Sequence, residues 1–450
     1  MGPGDSEQPS SAKGSAAAPV PVASDRGKGP EPFPASTASA VSVPPSYRRA
    51  LGNRPFLLLW LAQLVSQSGD FIFEVALLWL VLEITGSVFD VGLVVAATIV
   101  PTVLLGPFLG VYIDRWDHRR TLLGTNLIQG VVVAALSGLV VAGDATLPGL
   151  LVLVLALASG ATVVRTTTAA YVPSVVEVSD LPPANGLLSV SGSMNQIVGL
   201  SLGGVFVALL GVALPIEYDA LTFFAAAALV LAIPRGRRPA PQAAAPPNRR
   251  FRQELAEGFA FIRSHRFMIE ILLLGLVVNF FATGVFALLA PFSRYVLHGG
   301  SAVYGFLGAF VAAGSLVGAT AMGRVDTRES AGHYLFAGGV SIGAAILLLG
   351  FVTTVPLALG LMAVVGVALA VTNLPITIVI QAKVPRPLLG RVLGSFSAVI
   401  VAGGPLGPIF AGWLAERTSI ETFFLLSGGV FVAVLAGGAV TMTSLRTVRY

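Results

Sequence analysis

Long apolar runs, interrupted at near-regular intervals by short polar loops, dominate this chain. A helix that crosses a bilayer needs about 20 predominantly apolar residues. Twelve stretches meet that requirement: 55–82, 88–113, 121–142, 147–172, 186–213, 217–234, 267–290, 302–323, 333–354, 355–380, 390–414 and 421–441. The ninth and tenth are separated only by a tight turn near Pro356. The pattern therefore predicts an all-α polytopic membrane protein with twelve transmembrane helices. Two regions depart from it. Residues 1–46 are rich in Pro, Ser, Ala and Gly and bury too little apolar surface to offset the entropy of ordering, which predicts a disordered cytoplasmic tail. The tail has no continuous apolar core of the length that a signal peptide requires. Between segments six and seven, a Pro/Ala/Arg linker from Arg235 to Pro247 precedes Phe251, Leu255, Phe259 and Ile262 at helical spacing, with Arg249, Arg250, Arg252, Arg263 and Arg266 around them. That spacing predicts a basic amphipathic helix lying on the inner leaflet. The expected organisation is a six-helix bundle over 47–234, a cytoplasmic linker over 235–266 and a second six-helix bundle over 267–450.

Composition agrees with the pattern. Hydrophobic residues make up 55% of the chain and charged residues 11%, far from the balance of a soluble domain. The absence of cysteine excludes disulfides, iron–sulfur clusters and thiol chemistry. The net charge of +5 does not point to nucleic acid, because its distribution follows topology. Basic residues favour the cytoplasmic side. An N-terminus placed inside puts there Arg48, Arg49, Arg54, Arg115, Arg119, Arg120, the central linker, Arg324, Arg328, Lys383, Arg386, Arg391, Arg446 and Arg449. Only Arg294 and Arg417 then fall in outer loops, while the inner loop carrying Glu177 and Asp180 runs against the trend. A multi-pass cell-membrane protein with both termini cytoplasmic is expected.

A spacing of 212 residues recurs. It relates Arg54 to Arg266, Asp114 to Asp326, and the pair Val172, Pro173 to Val384, Pro385. Each coincidence alone is common. Three in one register, at the same points in the run of apolar segments, suggest a duplicated membrane unit and hence a transporter.

The charged loop GVYIDRWDHRR, Gly110 to Arg120, carries a resemblance. Gly110, Asp114, Arg115, Arg119 and Arg120 resemble the G-x-x-x-D-R-x-G-R-R signature of major facilitator superfamily transporters, with Asp117 and His118 departing from it. The later copy, Gly323 to Arg328, is degenerate. More narrowly, the chain from about residue 50 onward is similar to the branch containing macrolide and siderophore efflux permeases. That similarity rests on Gln63, Ser66, Gly69 and Asp70, on EGFAFIRSHR from Glu257 to Arg266, on Asn279 and Phe280, on Tyr304 and Gly305, and on Gly390 and Arg391. It implies two six-helix bundles around a central cavity, working by alternating access, with a parallel relation between the halves. It also implies a small-molecule substrate exported against protons, with no cofactor and a monomeric chain. One departure is plain: Leu200 stands where exporters of the superfamily often have the Pro of a G-P-x-x-G-G motif, here Gly199 to Gly204.

Two sets of residues are candidates for the mechanism. Asp114 lies at an inner helix end, where a carboxylate can bond the free N–H groups at the start of a neighbouring helix. In the resembling family that partner is helix eleven, here near Leu389 to Arg391. By symmetry Asp326 would face the start of helix five near Asn185 and Gly186. Gly110, Asp114, Arg115, Arg119, Arg120, Asp326, Arg328 and Arg391 thus form a candidate gating latch that closes the cytoplasmic side. The alternative for its arginines is a plain topology signal.

The second set lies within the segments. Asp70 is about 22 Å into the first helix at 1.5 Å per residue, and inserting such a charge costs roughly 2.5–3.5 kcal/mol. It is a candidate proton or cationic-substrate site, the alternative being a structural carboxylate capped by neighbouring hydroxyls and amides. Glu74 sits one turn further along the same face. Arg165, about 10 Å from the inner end of its segment, is either functional or snorkels to the cytoplasm. Gln63, Asn126, Gln129, Asn195, Gln196, Asn279 and Asn373 either line a wet cavity or tie helices together. Phe280, Phe281 and Phe286 suit bulky amphiphiles or simple core packing. Asp219 and Glu217 read as cap or dipole residues at the outer start of segment six.

Other functions are less compatible. An ATP-driven pump needs a phosphate-loop Lys followed by Ser or Thr, but Lys13, Lys28 and Lys383 precede Gly, Gly and Val. An intramembrane enzyme would want a buried His or metal cluster, yet His118, His265, His298 and His333 fall at loops or helix ends. An importer of a small metabolite and a non-transporting receptor or scaffold remain as alternatives to the exporter.

Overall fold

A computed structural model describes residues 47–113, 115–234, 247–325 and 331–442. Asp114, Asp326 and Arg328 of the candidate latch lie outside the described residues, as do the tail before residue 47 and most of the Pro/Ala/Arg linker. The described chain is helical throughout. In order, the helices are α1 (Tyr47–Gly52), α2 (Arg54–Thr85), α3 (Val88–Ile113), α4 (His118–Ala142), α5 (Leu147–Val175), α6 (Leu181–Leu210), α7 (Ala213–Ala232) and α8 (Pro247–Ser264). They continue with α9 (Arg266–Pro291), α10 (Gly300–Met322), α11 (Ala331–Leu349), α12 (Val355–Lys383), α13 (Arg386–Ala402), α14 (Leu406–Arg417) and α15 (Ile420–Thr441). Among the described residues, eleven stretches are long and apolar enough to cross a membrane by length and composition. The predicted first segment is α2, a 32-residue helix carrying Asp70, Glu74 and Glu83.

Local chemistry sets the ends of these helices. The Asn53 side chain accepts from the Phe56 N–H at the start of α2, Asp117 accepts from Arg120 N–H at 3.0 Å to cap α4, and the Ser419 hydroxyl accepts from Thr422 N–H at 3.1 Å to cap α15. Each supplies an acceptor that the first helical turn lacks. Gly86 (φ 65°) and Gly143 (φ 75°) end α2 and α4 in the left-handed conformation, which glycine adopts without a steric penalty. Pro405 has no N–H to continue a helix, so predicted segment eleven breaks into α13 and α14. The carbonyls freed there are caught by α9: Asn279 Nδ2 donates to Ile400 O at 2.9 Å and Thr283 Oγ1 to Gly404 O at 3.1 Å. By contrast α6, with Leu200 where a Pro was expected, runs unbroken.

The repeat survives, with a shift. The starts of α2 and α9 are 212 residues apart (266 − 54), as are those of α3 and α10 (300 − 88), but those of α5 and α12 are 208 apart (355 − 147). One helical turn has been lost between the second and fourth helices of the later copy. Pro173 therefore lies inside α5 whereas Pro385 lies beyond α12, before α13. The two Val–Pro pairs are not equivalent positions.

Helix pairs α2/α7, α4/α7, α2/α6 and α4/α5 pack together in the first half, and α10/α12, α11/α15 and α11/α12 in the second. Two pairs, α6/α10 and α3/α14, make most of the contacts that join the halves, with smaller contributions from α3/α9, α3/α13, α2/α10 and α2/α9. Their contacts concentrate at the end of the molecule away from Tyr47, termed the far end; the end holding the starts of α2 and α9 is the near end.

Candidate functional site

On α2, residues 64, 68, 71 and 72 face α6: Asn195 Nδ2 donates to Leu64 O at 2.8 Å, and Gly199 and Gly203 abut Phe71 and Ile72. Gly69 faces α7, with Asp219 Oδ1 and Thr222 Oγ1 against its Cα. At 3.6 residues per turn, Gln63, Gln67, Asp70 and Glu74 then share a third face, bordered on the α6 side by Gln67, whose Oε1 lies beside Gly192. Asp70 is partly exposed on that face and Glu74 is exposed. Glu74 is close enough for its charge to act on Asp70 and on the buried Tyr304 of α10.

Directly behind Asp70 stands a carboxylate that the apolar pattern misplaced. Asp219 is 1% exposed, accepts from Thr222 Oγ1 at 3.3 Å and feels the charge of Asp70. Segment six was expected to begin at residue 217, but α7 begins at Ala213, which moves Asp219 from the helix end into its second turn against Gly69. Glu217, nearer the far end, accepts from Ser137 Oγ at 3.3 Å. The signal that could have revealed Asp219 is the general rule that a carboxylate within an apolar span is functional until shown otherwise.

The remaining polar candidates divide into two groups. Asn195 and Asn279 are ties between helices, as described above. Asn126 and Gln129 are also buried between helices, at 2% and 3% exposure; Asn126 Nδ2 donates to Leu122 O at 2.7 Å and Gln129 Nε2 to Leu157 O at 3.3 Å. Arg165, Gln196 and Asn373, with Glu74, are instead exposed within spans, on α5, α6, α12 and α2. Arg165 donates to Thr102 Oγ1 of α3 at 3.1 Å and forms no ion pair with Asp70 among the described residues. Gln63 is buried. Phe280 belongs to an aromatic cluster, its ring 5.1 Å from that of Phe281 and 5.5 Å from that of Phe410. Phe281 in turn lies 6.4 Å from Phe423. No cluster of His, Asp and Glu among the described residues is arranged to hold a metal ion.

Of the described latch residues, Arg119 donates to Leu231 O at 2.5 Å, placing a cation at the C-terminal end of α7. Arg120 lies 3.9 Å from Asp117, and Arg115 is exposed. Arg391 is engaged by Glu257 of α8, a partner that no sequence motif announces. The Cα of Gly258 beside it is pressed against Ser395 and the Arg391 carbonyl. The start of α6, expected to meet Asp326, has Tyr47 of α1 against Gly186.

The two ends of the molecule differ. At the far end, Gly92 of α3 is pressed on Pro408 O and Gly412 of α14 on Phe89 Cα; Gly305 of α10 is pressed on Leu200 O and Gly204 of α6 on Ser301 O. Hydrogen bonds run across the same seam. Ser301 Oγ donates to Gly204 O at 3.1 Å, Ser87 Oγ to Glu416 Oε1 at 2.9 Å and Tyr295 OH to Gly86 O at 3.1 Å. The Arg294 guanidinium lies 5.6 Å from the Trp79 ring. At the near end, Gly106 and Gly110 of α3 and Gly390 and Gly394 of α13 face open space. The two halves are thus in backbone contact at the far end, whereas these near-end glycines meet no neighbour.

Residues 48–448 match a sequence profile described as transmembrane secretion effector. The chain belongs to that family. It is a branch of the major facilitator superfamily, so the resemblance read from the Gly110 loop is borne out, and the protein is a multi-pass membrane transporter. Among its relatives, the multidrug efflux pump Tap of Mycobacterium tuberculosis is 27% identical over 395 residues, covering 82% of this chain and 89% of Tap. Macrolide efflux protein A of Streptococcus pyogenes is 23% identical over 383 residues, covering 84% of this chain and 94% of that protein. The fold is shared with the nucleoside transporter NupG (TM-score 0.68, 13% identity, 87% of this chain and 98% of NupG). It is also shared with a bacterial homologue of the lysosomal transporter Spinster in an inward-facing, occupied conformation (TM-score 0.67, 14% identity, 90% and 98%).

Proposed function

We propose that this protein is a secondary active exporter of amphiphilic, drug-like small molecules, driven by protons exchanged at Asp70. The observation that carries the reading is the third face of α2, where Asp70 and Glu74 meet the interior with Asp219 behind them. In a water-poor interior, like charges so close repel strongly, and a proton or a cationic ligand relieves that repulsion. A carboxylate that alternates between the two is what an antiporter requires. The names of the relatives, a multidrug and a macrolide efflux pump, support export of amphiphiles. The aromatic cluster around Phe280 supplies an apolar surface for such cargo.

In this reading twelve helices, α13 and α14 together counting as one, form two six-helix bundles in a cell membrane. One bundle spans 47–234 and the other 267–450, joined by the linker that contains α8, and a single chain suffices for the route. Both termini are cytoplasmic, so the near end is the inner face and the structure represents the inward-facing state. The exposed polar groups Arg165, Gln196 and Asn373 line the parted side, while Gln129, Asn195 and Asn279 hold the helices in place. The Gly110 loop, with Asp114, acts when the inner face closes, and Arg391 must then exchange Glu257 for it.

The test is drug accumulation in an efflux-deficient bacterium expressing the protein, against a panel of macrolides, other lipophilic drugs and siderophores. Lower accumulation of at least one class, abolished by Asp70→Asn, is expected. Higher accumulation would identify an importer. No change with any compound, despite expression in the membrane, would overturn transport and favour a receptor.

A further inference from the structure

At the near end a cleft of about 500 Å³ opens between the start of α9 and the end of α15, lined by residues that include Arg263, Arg266, Ile269, Glu270 and Thr441. Its depth in the molecule is informative. Arg266 opens one candidate membrane span and Thr441 closes another, so the cleft lies where hydrocarbon gives way to headgroups. Its charge is equally informative. Arg266 Nε donates to Glu270 Oε1 at 2.9 Å, which fixes the guanidinium while 79% of the side chain stays exposed. Arg263 is exposed three residues earlier, across the break between α8 and α9. Two arginines against one glutamate leave the cleft net positive.

The backbone adds to this field. His265, which precedes the first residue of α9, gives that helix no side-chain cap; its Nδ1 lies 2.9 Å from both Phe261 O and Ser264 Oγ instead. The first-turn N–H groups of a 26-residue helix therefore lack a side-chain acceptor and add the positive end of its dipole. Guanidinium groups match phosphate oxygens in pairs. Ile269, about one turn into the span, offers an apolar wall that a free anion would not use.

We infer that this cleft binds the phosphodiester headgroup of an anionic phospholipid, with Arg263 and Arg266 holding the phosphate and Ile269 beside the first methylenes of an acyl chain. The bound lipid ties α8 to α9 and α15. Because α8 also grips α13 through Glu257 and Gly258, the lipid steadies the linker helix against the part of the molecule that parts at the near end.

The test uses the full chain purified in a neutral detergent and titrated with phosphatidylglycerol, with phosphatidylcholine of the same chain length and with inorganic phosphate, binding being read by native mass spectrometry. One phosphatidylglycerol should be retained at least fivefold more tightly than phosphatidylcholine, roughly what one surface arginine contributes, and phosphate should not displace it. Arg263→Gln/Arg266→Gln should weaken that binding roughly 30-fold, on the scale of two arginines near an anionic surface. Arg48→Gln/Arg54→Gln, which removes the same charge from the same end, should leave it unchanged. Equal loss in both double variants, or equal retention of the two lipids, would overturn a built site. Displacement by inorganic phosphate would overturn the lipid as its occupant. Should the Arg263/Arg266 double variant fail to fold, Arg263→Gln alone is expected to show about a fivefold loss, and no loss there would also refute the site.

Discussion

The seal at the far end makes a quantitative prediction through Gly305. Its Cα is pressed on Leu200 O, and a Cβ added there would also lie 3.0 Å from Gly204 Cα and 3.1 Å from Gly204 N. All three neighbours are backbone atoms of α6, so no side chain can rotate away and the helices themselves must separate. Forcing one methyl into such a contact costs about 1–3 kcal/mol. If α6 and α10 part at this end in the outward-facing state, the cost falls on the far-sealed state alone. Gly305→Ala should then shift the ratio of far-sealed to far-open molecules by about 5- to 150-fold towards open. The chain lacks cysteine, so spin labels can be placed cleanly at Asp144→Cys and Thr353→Cys, exposed positions in far-end loops of the two halves. Pulsed-dipolar distances should move to longer values in Gly305→Ala. A well-folded Gly305→Ala protein with the parental distance distribution would refute the claim that this glycine contact holds the far end shut.

Three further changes test other parts of the account. Asp219→Asn keeps the oxygen that Thr222 bonds and removes the charge behind Asp70; transport should change at least fivefold, about 1 kcal/mol, with little change in melting temperature, and unaltered transport would make Asp219 purely structural. Glu257→Gln and Arg391→Gln, analysed as a double-mutant cycle by thermal unfolding, should show a coupling of up to about 1 kcal/mol, the scale for a pair this exposed; zero coupling would mean that α8 is held by Gly258 packing alone. Asn53→Ala removes the α2 cap and the 2.6 Å bond from Nδ2 to Val175 O, and should lower unfolding stability by about 1 kcal/mol in a denaturant or thermal assay.

Much of this fold was legible because the bilayer imposes it. A helix must be long and apolar enough to cross, and its ends are marked by polar loops, so the predicted segments overlap the observed helices closely. The errors are where polar residues sit inside a span. Asp219 looked like a terminus because carboxylates usually lie at interfaces; only the neighbouring Gly69 and Thr222, from two helices, make room for it one turn further in. The Val–Pro pairs looked equivalent because spacing was counted along the chain, whereas a lost helical turn between the second and fourth helices offset Pro173 from Pro385. The pairing of Glu257 with Arg391 joins residues 134 positions apart, across the docking face of an amphipathic helix, and no periodicity reveals which partner such a face chooses. The place of Asp70 inside a span was legible for the opposite reason: some 22 Å along the helix, it has apolar chain on both sides.

The central claim is that proton movement through Asp70 drives export, and substrate-dependent proton flux in proteoliposomes tests it most directly. With a drug identified by the accumulation assay, the wild-type protein should move protons inward as drug moves outward, and Asp70→Asn should abolish that coupled flux while still binding the drug. Drug-dependent proton flux of wild-type magnitude in Asp70→Asn would contradict the account.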